Sequence, residues 1–166
     1  MAWQYAMAEK RPVAMILSRQ NVKSLPALKS SRQEEAKQAV KGAYIVMDSA
    51  KAQVVMLASG SEVSTLTDGA ELLQKDGIPV RVVSVPSEGL FRDQPKSYQE
   101  SVLPKDIIRY GMTSGLSINL RGLVGENGTI HGCDHFGYSA PFKVLDEKFG
   151  YNGQTVYEEV KALLNK

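Results

Sequence analysis

Short apolar runs that alternate with longer helical stretches constrain the fold of this chain more than any other sequence feature. Residues 54–58 and 80–85 are apolar runs of strand length, the kind that is buried on both faces of a sheet. The stretch between them, residues 62–75, has the length and composition of a helix and ends at Asp76-Gly77. Strands joined by helical crossovers lie parallel, with helices covering the sheet. The sequence therefore predicts an α/β fold: a three-layer αβα arrangement around a mostly parallel sheet.

The same patterns predict the remaining elements and one linker. Gly42 is expected to end a helix, and Ser139 to cap another helix with Pro141 in its first turn. The apolar run 13–17 is predicted to be a buried strand, and the polar, basic residues 23–41 a linker containing a short helix. Other helices are predicted at 3–9, 32–40, 96–101, 140–149 and 156–164, and other strands at 44–47, 107–112 and 128–133.

Composition excludes several classes of function. Apolar residues make up 43% and charged residues 23%, as in globular proteins, and the net charge of +2 gives no basis for binding nucleic acid or an acidic membrane. No apolar run approaches the roughly 20 residues that span a bilayer. Cys133 is the only cysteine, which excludes an internal disulfide and suits a reducing cytoplasm. Residues 1–6 resemble the interior of a helix, so we expect this chain to be part of a longer protein.

The tripeptide Ser18-Arg19-Gln20 follows the predicted strand 13–17. Ligands of open parallel sheets bind outside the carboxyl ends of the strands, where Arg19 would lie. A guanidinium offers a planar set of donors that matches the oxygens of a phosphate. Arginines at the rim of a sheet also form purely structural ion pairs. The pattern alone leaves phosphate binding and a rim salt bridge both open.

The turn Ser59-Gly60-Ser61-Glu62 lies between a predicted strand and the helix 62–75. A helix N-terminus can hold a phosphate with its free N–H groups. Ser59 and Glu62 also fit a capping box, in which their side chains satisfy those same groups, and the carboxylate would repel an anion. Neither a GxGxxG nor a P-loop motif occurs. The sequence predicts a structural cap here.

His131, Cys133 and His135 alternate along the predicted strand 128–133 and its continuation, so they would share one face. Imidazole and thiolate are zinc ligands, but alternate residues of a strand stand roughly 6–7 Å apart and no fourth ligand is evident. A Cys–His nucleophilic pair would lack an orienting group and an oxyanion hole. We predict a packing or surface role and no metal site.

Seven segments, in this order and at this spacing, resemble the end of the bacterial-type transketolase family. They are residues 2–6 (AWQYA), 13–21 (VAMILSRQN), 42–46 (GAYIV), 58–63 (ASGSEV), 85–87 (VPS), 98–105 (YQESVLPK) and 136–141 (FGYSAP). The resemblance covers the whole chain. It implies that residues 1–22 are the tail of the pyrimidine-binding middle domain, 23–41 the linker, and 42–166 the family's C-terminal α/β domain.

The resemblance also implies an activity. Transketolases transfer a two-carbon ketol unit from a ketose phosphate to an aldose phosphate in the pentose phosphate pathway, as cytoplasmic homodimers that use thiamine diphosphate and a divalent metal, Mg or Ca. The cofactor binds between other domains of the family. We therefore expect no catalytic, cofactor-binding or metal-binding residue here, and a chain that is inactive alone and serves folding and dimer assembly.

One family site residue falls inside the chain. The arginine that binds the terminal phosphate of the sugar corresponds to Arg19, so the resemblance implies a substrate-binding role for this residue. The family usually carries a glutamate near the end of the strand that here runs into Thr113, which is a departure.

Two other functions stay open at the level of sequence. The β subunits of 2-oxo acid dehydrogenases use a similar C-terminal domain for assembly with partner proteins, although the block at 101–105 argues against that relative. A stand-alone regulatory domain could instead bind a small anion at the turn 59–62.

Overall fold

The computed structural model of the chain describes residues 1–9 and 12–166, and these form a five-stranded sheet in the order β1-β3-β2-β4-β5. Strands β2, β3, β4 and β5 are mutually parallel where they pair, and β1 lies antiparallel to β3 at one edge. The strands are β1 (Tyr44–Met47), β2 (Val54–Ala58), β3 (Val80–Ser84), β4 (Ile108–Met112) and β5 (Thr129–His131). The prediction of a mostly parallel sheet is confirmed.

Helices cover both faces of this sheet. On one face, α3 and α8 pack through residues such as Leu66 and Val156, and on the other, α4, α5 and α6 contribute Phe91, Val102 and Leu123. The α-helices are α1 (Ala2–Ala8), α2 (Arg32–Glu35), α3 (Glu62–Lys75), α4 (Glu88–Arg92), α5 (Lys96–Val102), α6 (Arg121–Val124), α7 (Phe142–Phe149) and α8 (Gly153–Leu164), with 3₁₀ turns at Ala36–Lys41 and Ser117–Leu120. The three-layer αβα prediction is confirmed, and none of the described helices could cross a membrane.

Strand β2 is the centre of the sheet, and all five of its residues are buried. Its side chains alternate between the two apolar clusters, because successive residues of a strand point to opposite faces. Met56 of β2 is paired with Val82 of β3 on one side and with Tyr110 of β4 on the other. This register aligns the carboxyl ends of the parallel strands along one side of the sheet. We call the loops that follow β2, β3, β4 and β5 on this side the carboxyl edge.

Helices α3 and α8 approach each other closely at two glycines. A Cβ atom on Gly69 of α3 would lie 2.5 Å from Val156 Cγ1, and one on Gly153 of α8 would lie 2.8 Å from Asp68 Cβ. Such distances are shorter than van der Waals contact, so each position accommodates only glycine without a shift of the helices. The sheet, α3 and α8 therefore form one tightly packed unit.

The polar residues before β1 are ordered by a buried carboxylate. Glu35, only 8% exposed, accepts hydrogen bonds from the backbone N–H groups of Leu28 (2.9 Å) and Lys29 (2.7 Å). These bonds, that of Leu28 first, lower the pKa of Glu35 below its ordinary value. The predicted helix 32–40 is present as α2 and the following 3₁₀ turn, and it ends at Gly42, whose φ of +83° favours glycine.

The predicted strand at 13–17 is wrong. These residues have no regular secondary structure, and the side chains of Ile16 and Leu17 are 95% and 81% exposed. A strand is stabilised by hydrogen bonds to a neighbouring strand, and no described strand pairs with this segment. The segment therefore has no strand partner, and its last two apolar side chains are exposed.

Helix α4 was not predicted, although its sequence carries a helix-start signal. Ser87 is the N-cap, and its hydroxyl accepts a hydrogen bond from the Leu90 N–H at 3.4 Å. The helix has only five residues, too few to produce a periodic apolar pattern.

A polar network joins β4 and β5 to α8. The imidazole of His131 has two acceptors, with Nδ1 3.0 Å from Glu159 Oε1 and Nε2 2.8 Å from the Phe149 carbonyl oxygen. A neutral imidazole has one N–H, so only the protonated ring satisfies both partners. The hydrogen bond that His131 donates to Glu159 raises the pKa of His131 by more than burial lowers it. Glu159 also accepts a hydrogen bond from the buried Tyr110 hydroxyl at 2.7 Å.

Substitution of Gly69 tests the close packing of α3 on α8. Gly69→Ala should lower the free energy of unfolding by about 1–3 kcal/mol, because the added methyl overpacks against Val156. Gly89→Ala in α4 is the matched control, since its Cβ would meet no atom within 4 Å and alanine favours a helix. Urea unfolding followed by circular dichroism measures both. Equal stability changes in the two variants would contradict the close approach.

The His131–Glu159 pair predicts a pH optimum of stability. Burial raises the pKa of Glu159, but the hydrogen bonds that it accepts from His131 and Tyr110 together lower the pKa by more. The pKa of Glu159 therefore lies below its ordinary value. The Glu159 contribution is present above its unfolded pKa near 4.5 and is lost as pH falls through its folded pKa. The His131 contribution is complete below its unfolded pKa near 6.5 and is lost as pH rises through its higher folded pKa.

Stability should therefore decline as pH rises above about 6.5, the unfolded pKa of His131. His131→Asn should remove that decline and lower the free energy of unfolding at pH 5.5 by about 1–3 kcal/mol. His135→Asn, at an exposed histidine, is the control and should retain the decline. Unfolding in urea at several pH values checks this; a slope unchanged by His131→Asn would exclude the pair as its source.

Candidate functional site

A cavity of about 710 Å³ lies at the carboxyl edge, between the loops that follow the strands and residues 14–20. Its polar lining consists of hydroxyl, amide and carboxyl groups, among them Ser18, Gln20, Ser61, Glu62, Thr113 and Asp146. The described lining contains no Lys or Arg, and burial raises the pKa of Asp146 above its ordinary value. With two carboxyl groups and no cation among the lining residues, the cavity is a poor anion site by itself.

The capping box predicted for Ser59 and Glu62 is wrong. Helix α3 begins at Glu62, and its N-cap is Ser61, whose side chain makes no capping hydrogen bond. The Ser61 hydroxyl instead donates to the Glu62 carboxylate at 3.2 Å. Gly60 has a φ of +62°, a left-handed conformation that turns the chain before the helix begins. Ser59 therefore lies outside the helix, and Glu62 occupies its first position rather than its third.

Arg19 is exposed, and its guanidinium makes no hydrogen bond or ion pair with any residue in 1–9 or 12–166. The structural salt bridge considered for this residue is therefore not formed within the described chain. Its neighbour Ser18 lies against the turn before α3, with its Oγ 3.3 Å from the position of a Cβ on Gly60. The Ser-Arg-Gln segment thus crosses the carboxyl edge while its arginine stays available to a ligand.

The residues that follow Arg19 are fixed to the domain by two contacts. Lys23 forms an ion pair with Asp68 on the surface of α3. Leu25 packs against the apolar cluster that contains β2, α3 and α8. Arg19 therefore lies in the sequence between Ser18, beside the turn before α3, and Lys23, which pairs with α3 itself.

His131, Cys133 and His135 do not converge. Strand β5 ends at His131, two residues earlier than predicted, so the alternation does not continue. The His131 ring belongs to the network with Glu159, whereas the His135 ring packs on Phe149 at 4.6 Å between centroids. Cys133 Sγ lies 3.8 Å from His135 Nδ1. Within residues 1–9 and 12–166, no group of three or more His, Cys, Asp and Glu side chains could hold a metal ion.

The helix start predicted at Ser139 is also wrong in detail. Helix α7 begins at Phe142, and Pro141 is its N-cap, with no side-chain capping hydrogen bond. Pro141 has an extended ψ of 143°, so the chain before it does not enter the helix.

Two polar residues at the carboxyl edge have structural roles. Thr113 accepts the Gly115 N–H on its Oγ1 at 3.1 Å. Asp134 accepts the Ser117 N–H at 2.9 Å and the Ser117 hydroxyl, which together lower the pKa of Asp134. Sequence analysis assigned no role to Asp134, because its partner lies 17 residues away on another loop.

Comparison with known proteins identifies the family. Residues 42–152 match the protein-family model for the transketolase-like C-terminal domain. The transketolase of Halalkalibacterium halodurans is 40% identical over 166 residues, which cover 98% of this chain and 24% of that protein. The chain thus spans about a quarter of the length of the curated relatives that it matches.

Solved transketolase structures agree with the fold. The enzyme from Leishmania mexicana superposes with a TM-score of 0.88 at 34% identity, over 99% of this chain and 23% of that one. A complex of the Pichia stipitis enzyme with sedoheptulose 7-phosphate gives a TM-score of 0.78 at 28% identity, over 89% of this chain and 20% of that one. The family match covers more than half of the sequence, and this chain belongs to the transketolase family, whose C-terminal portion it matches.

Proposed function

We propose that this chain acts as the C-terminal part of a transketolase, which transfers a two-carbon ketol unit from a ketose phosphate to an aldose phosphate. The observation that carries this proposal is the 40% identity to a transketolase along 98% of the chain. The Pichia stipitis relative, solved with sedoheptulose 7-phosphate, supports sugar phosphates as the class of substrate. Neither assembly with a 2-oxo acid dehydrogenase nor a stand-alone regulatory role is favoured by these matches.

The proposed division of the chain has residues 1–22 as the tail of the pyrimidine-binding middle domain, 23–41 as a linker and 42–166 as the C-terminal domain. The family match begins at residue 42, where Gly42 ends the turn before β1. Trp3, Ile16 and Leu17 are 72%, 95% and 81% exposed, which supports the proposal that other parts of the enzyme cover this segment. The same apolar surface supports the proposed homodimer.

Arg19 is proposed to bind the phosphate of the sugar. Its guanidinium is exposed and unpaired among the described residues, and it can donate two parallel hydrogen bonds to phosphate oxygens. A guanidinium has hydrogen-bond donors and no acceptor, and no proton-transfer step is assigned to it. Its contribution is binding energy and orientation at the end of the substrate remote from the reacting carbon.

Thiamine diphosphate with Mg or Ca would supply the carbanion chemistry of ketol transfer. The described residues of this chain do not fit such a group, since they form no cluster of metal ligands and the N-terminus of α3 carries the carboxylate of Glu62. We therefore assign no catalytic step to these residues. The chain alone is proposed to be inactive.

A cytoplasmic location and a role in the pentose phosphate pathway are proposed for this chain because they are expected of the transketolase family. The single cysteine is compatible with a reducing compartment.

Arg19→Ala tests the phosphate role in a chimeric transketolase, in which this chain replaces the matching C-terminal quarter of the Halalkalibacterium halodurans enzyme. Loss of charge-assisted hydrogen bonds worth about 1.5–3 kcal/mol should lower kcat/KM for xylulose 5-phosphate about 10- to 100-fold. The value for xylulose, which has no phosphate, should change less than about twofold.

Two further variants complete this experiment. Arg19→Lys keeps the charge but loses the paired donors, and should fall between the wild type and Arg19→Ala. Arg92→Ala removes an exposed arginine that pairs with Glu88 in α4, and should leave both substrates unaffected. Equal losses of Arg19→Ala on xylulose 5-phosphate and on xylulose would refute the phosphate role.

A further inference from the structure

We infer that the turn at Gly60 is a positioning element for Arg19, so that the C-terminal domain sets the affinity for the sugar phosphate through its contact with Ser18. This inference rests on the proposed phosphate role of Arg19. It assigns to the turn before α3 a function in substrate binding, in place of the cap and the anion site considered from the sequence.

The contact between Ser18 and Gly60 is close and needs glycine. A Cβ on Gly60 would lie 3.3 Å from Ser18 Oγ, tighter than an ordinary contact, so an alanine there requires the Ser18 hydroxyl to shift by a few tenths of an ångström and a larger side chain requires more. The φ of +62° at Gly60 independently favours glycine. Ser18 is covalently joined to Arg19, so a side chain on Gly60 that is too large to be accommodated by rotation of the Ser18 hydroxyl would move the Arg19 backbone as well.

A second contact limits the segment on the other side of Arg19. The ion pair of Lys23 with Asp68 joins the chain to α3, two turns into the helix that Gly60 precedes. The stretch between Ser18 and Lys23 thus begins beside the turn that leads into α3 and ends at an ion pair with that helix. The position of α3 is in turn fixed by its close packing on α8 at Gly69.

This arrangement matters because phosphate binding by a guanidinium is directional. Two parallel N–H···O bonds form only when the planar group faces the phosphate, and a displacement of about 1 Å can cost up to about 100-fold in rate. Arg19 has no partner of its own among the described residues, so nothing but its backbone neighbours holds it. The Gly60 turn provides that constraint.

The test replaces Gly60 with Ala and with Val in the chimeric transketolase. The KM for xylulose 5-phosphate should rise about 3- to 10-fold with Ala and further with Val, as the larger group displaces Ser18 more. The kcat for xylulose 5-phosphate and the kinetics with xylulose should stay within about twofold. A structural defect alone would affect both substrates, so the selective change in KM identifies positioning.

Gly77 provides a matched control at the other end of α3. It also has a positive φ, +76°, but a Cβ there would meet no atom within 4 Å. Gly77→Ala and Gly77→Val carry the same kind of backbone strain without touching Ser18, and should leave the KM for both substrates unchanged. Adding Ser18→Ala to Gly60→Ala removes the displaced hydroxyl and should restore most of the affinity.

The outcomes separate this inference from the proposed function. A phosphate-selective loss with Arg19→Ala but none with Gly60→Val overturns the positioning role alone. An equal loss of kcat/KM on xylulose 5-phosphate and on xylulose with Arg19→Ala overturns the phosphate role of Arg19, on which the positioning role rests. Equal effects of the Gly60 and Gly77 variants, or no rescue by Ser18→Ala, also overturn the positioning role.

If the Gly60 variants fail to fold in the chimera, a disulfide cross-link in the chain itself tests whether Ser18 lies against Gly60. With Cys133→Ser as background, Ser18→Cys and Gly60→Cys should form a disulfide on mild oxidation, because the positions are within bonding reach. Ser18→Cys with Gly77→Cys should stay reduced. No disulfide in the first pair would overturn the contact.

Discussion

Burial of β2 between two parallel neighbours is the constraint on which the rest of this structure depends. All five of its residues are buried, and its register with β3 and β4 fixes where the parallel strands end. The chain must leave β2 at the carboxyl edge, turn at Gly60 and begin α3 there. The segment that carries Arg19 then lies against that turn. The position of Arg19, the residue proposed to bind phosphate, thus depends on the packing of a strand that is distant in sequence.

Local sequence pattern was sufficient for the longer segments that are stabilised by burial at the centre of the domain. Strand β2 and helix α3 were predicted within one residue, because their apolar residues face the core of the same chain. The run 13–17 has an equally apolar sequence but no strand beside it, and composition does not report the presence of a partner. The capping prediction at Ser59 failed because the left-handed conformation of Gly60 delays the helix.

The candidate site could be predicted only in part. Arg19 was singled out from its place after an apolar run, but its phosphate role came from resemblance to the transketolase family. The contact of Ser18 with Gly60 joins residues 42 positions apart and leaves no signal in either local sequence. The same holds for His131, whose partner Glu159 lies on the last helix. Side-chain pairs of this kind require the folded backbone.

The central claim is that this chain folds as a domain and contributes substrate positioning, while the chemistry belongs to other parts of a transketolase. Ketol transfer from xylulose 5-phosphate, measured with thiamine diphosphate and Mg²⁺, tests it most directly. The purified chain alone should show no turnover, and the chimeric enzyme carrying it in place of the matching quarter of the Halalkalibacterium halodurans protein should be active. Turnover by the chain alone, or a folded and cofactor-saturated chimera without turnover, would contradict the claim.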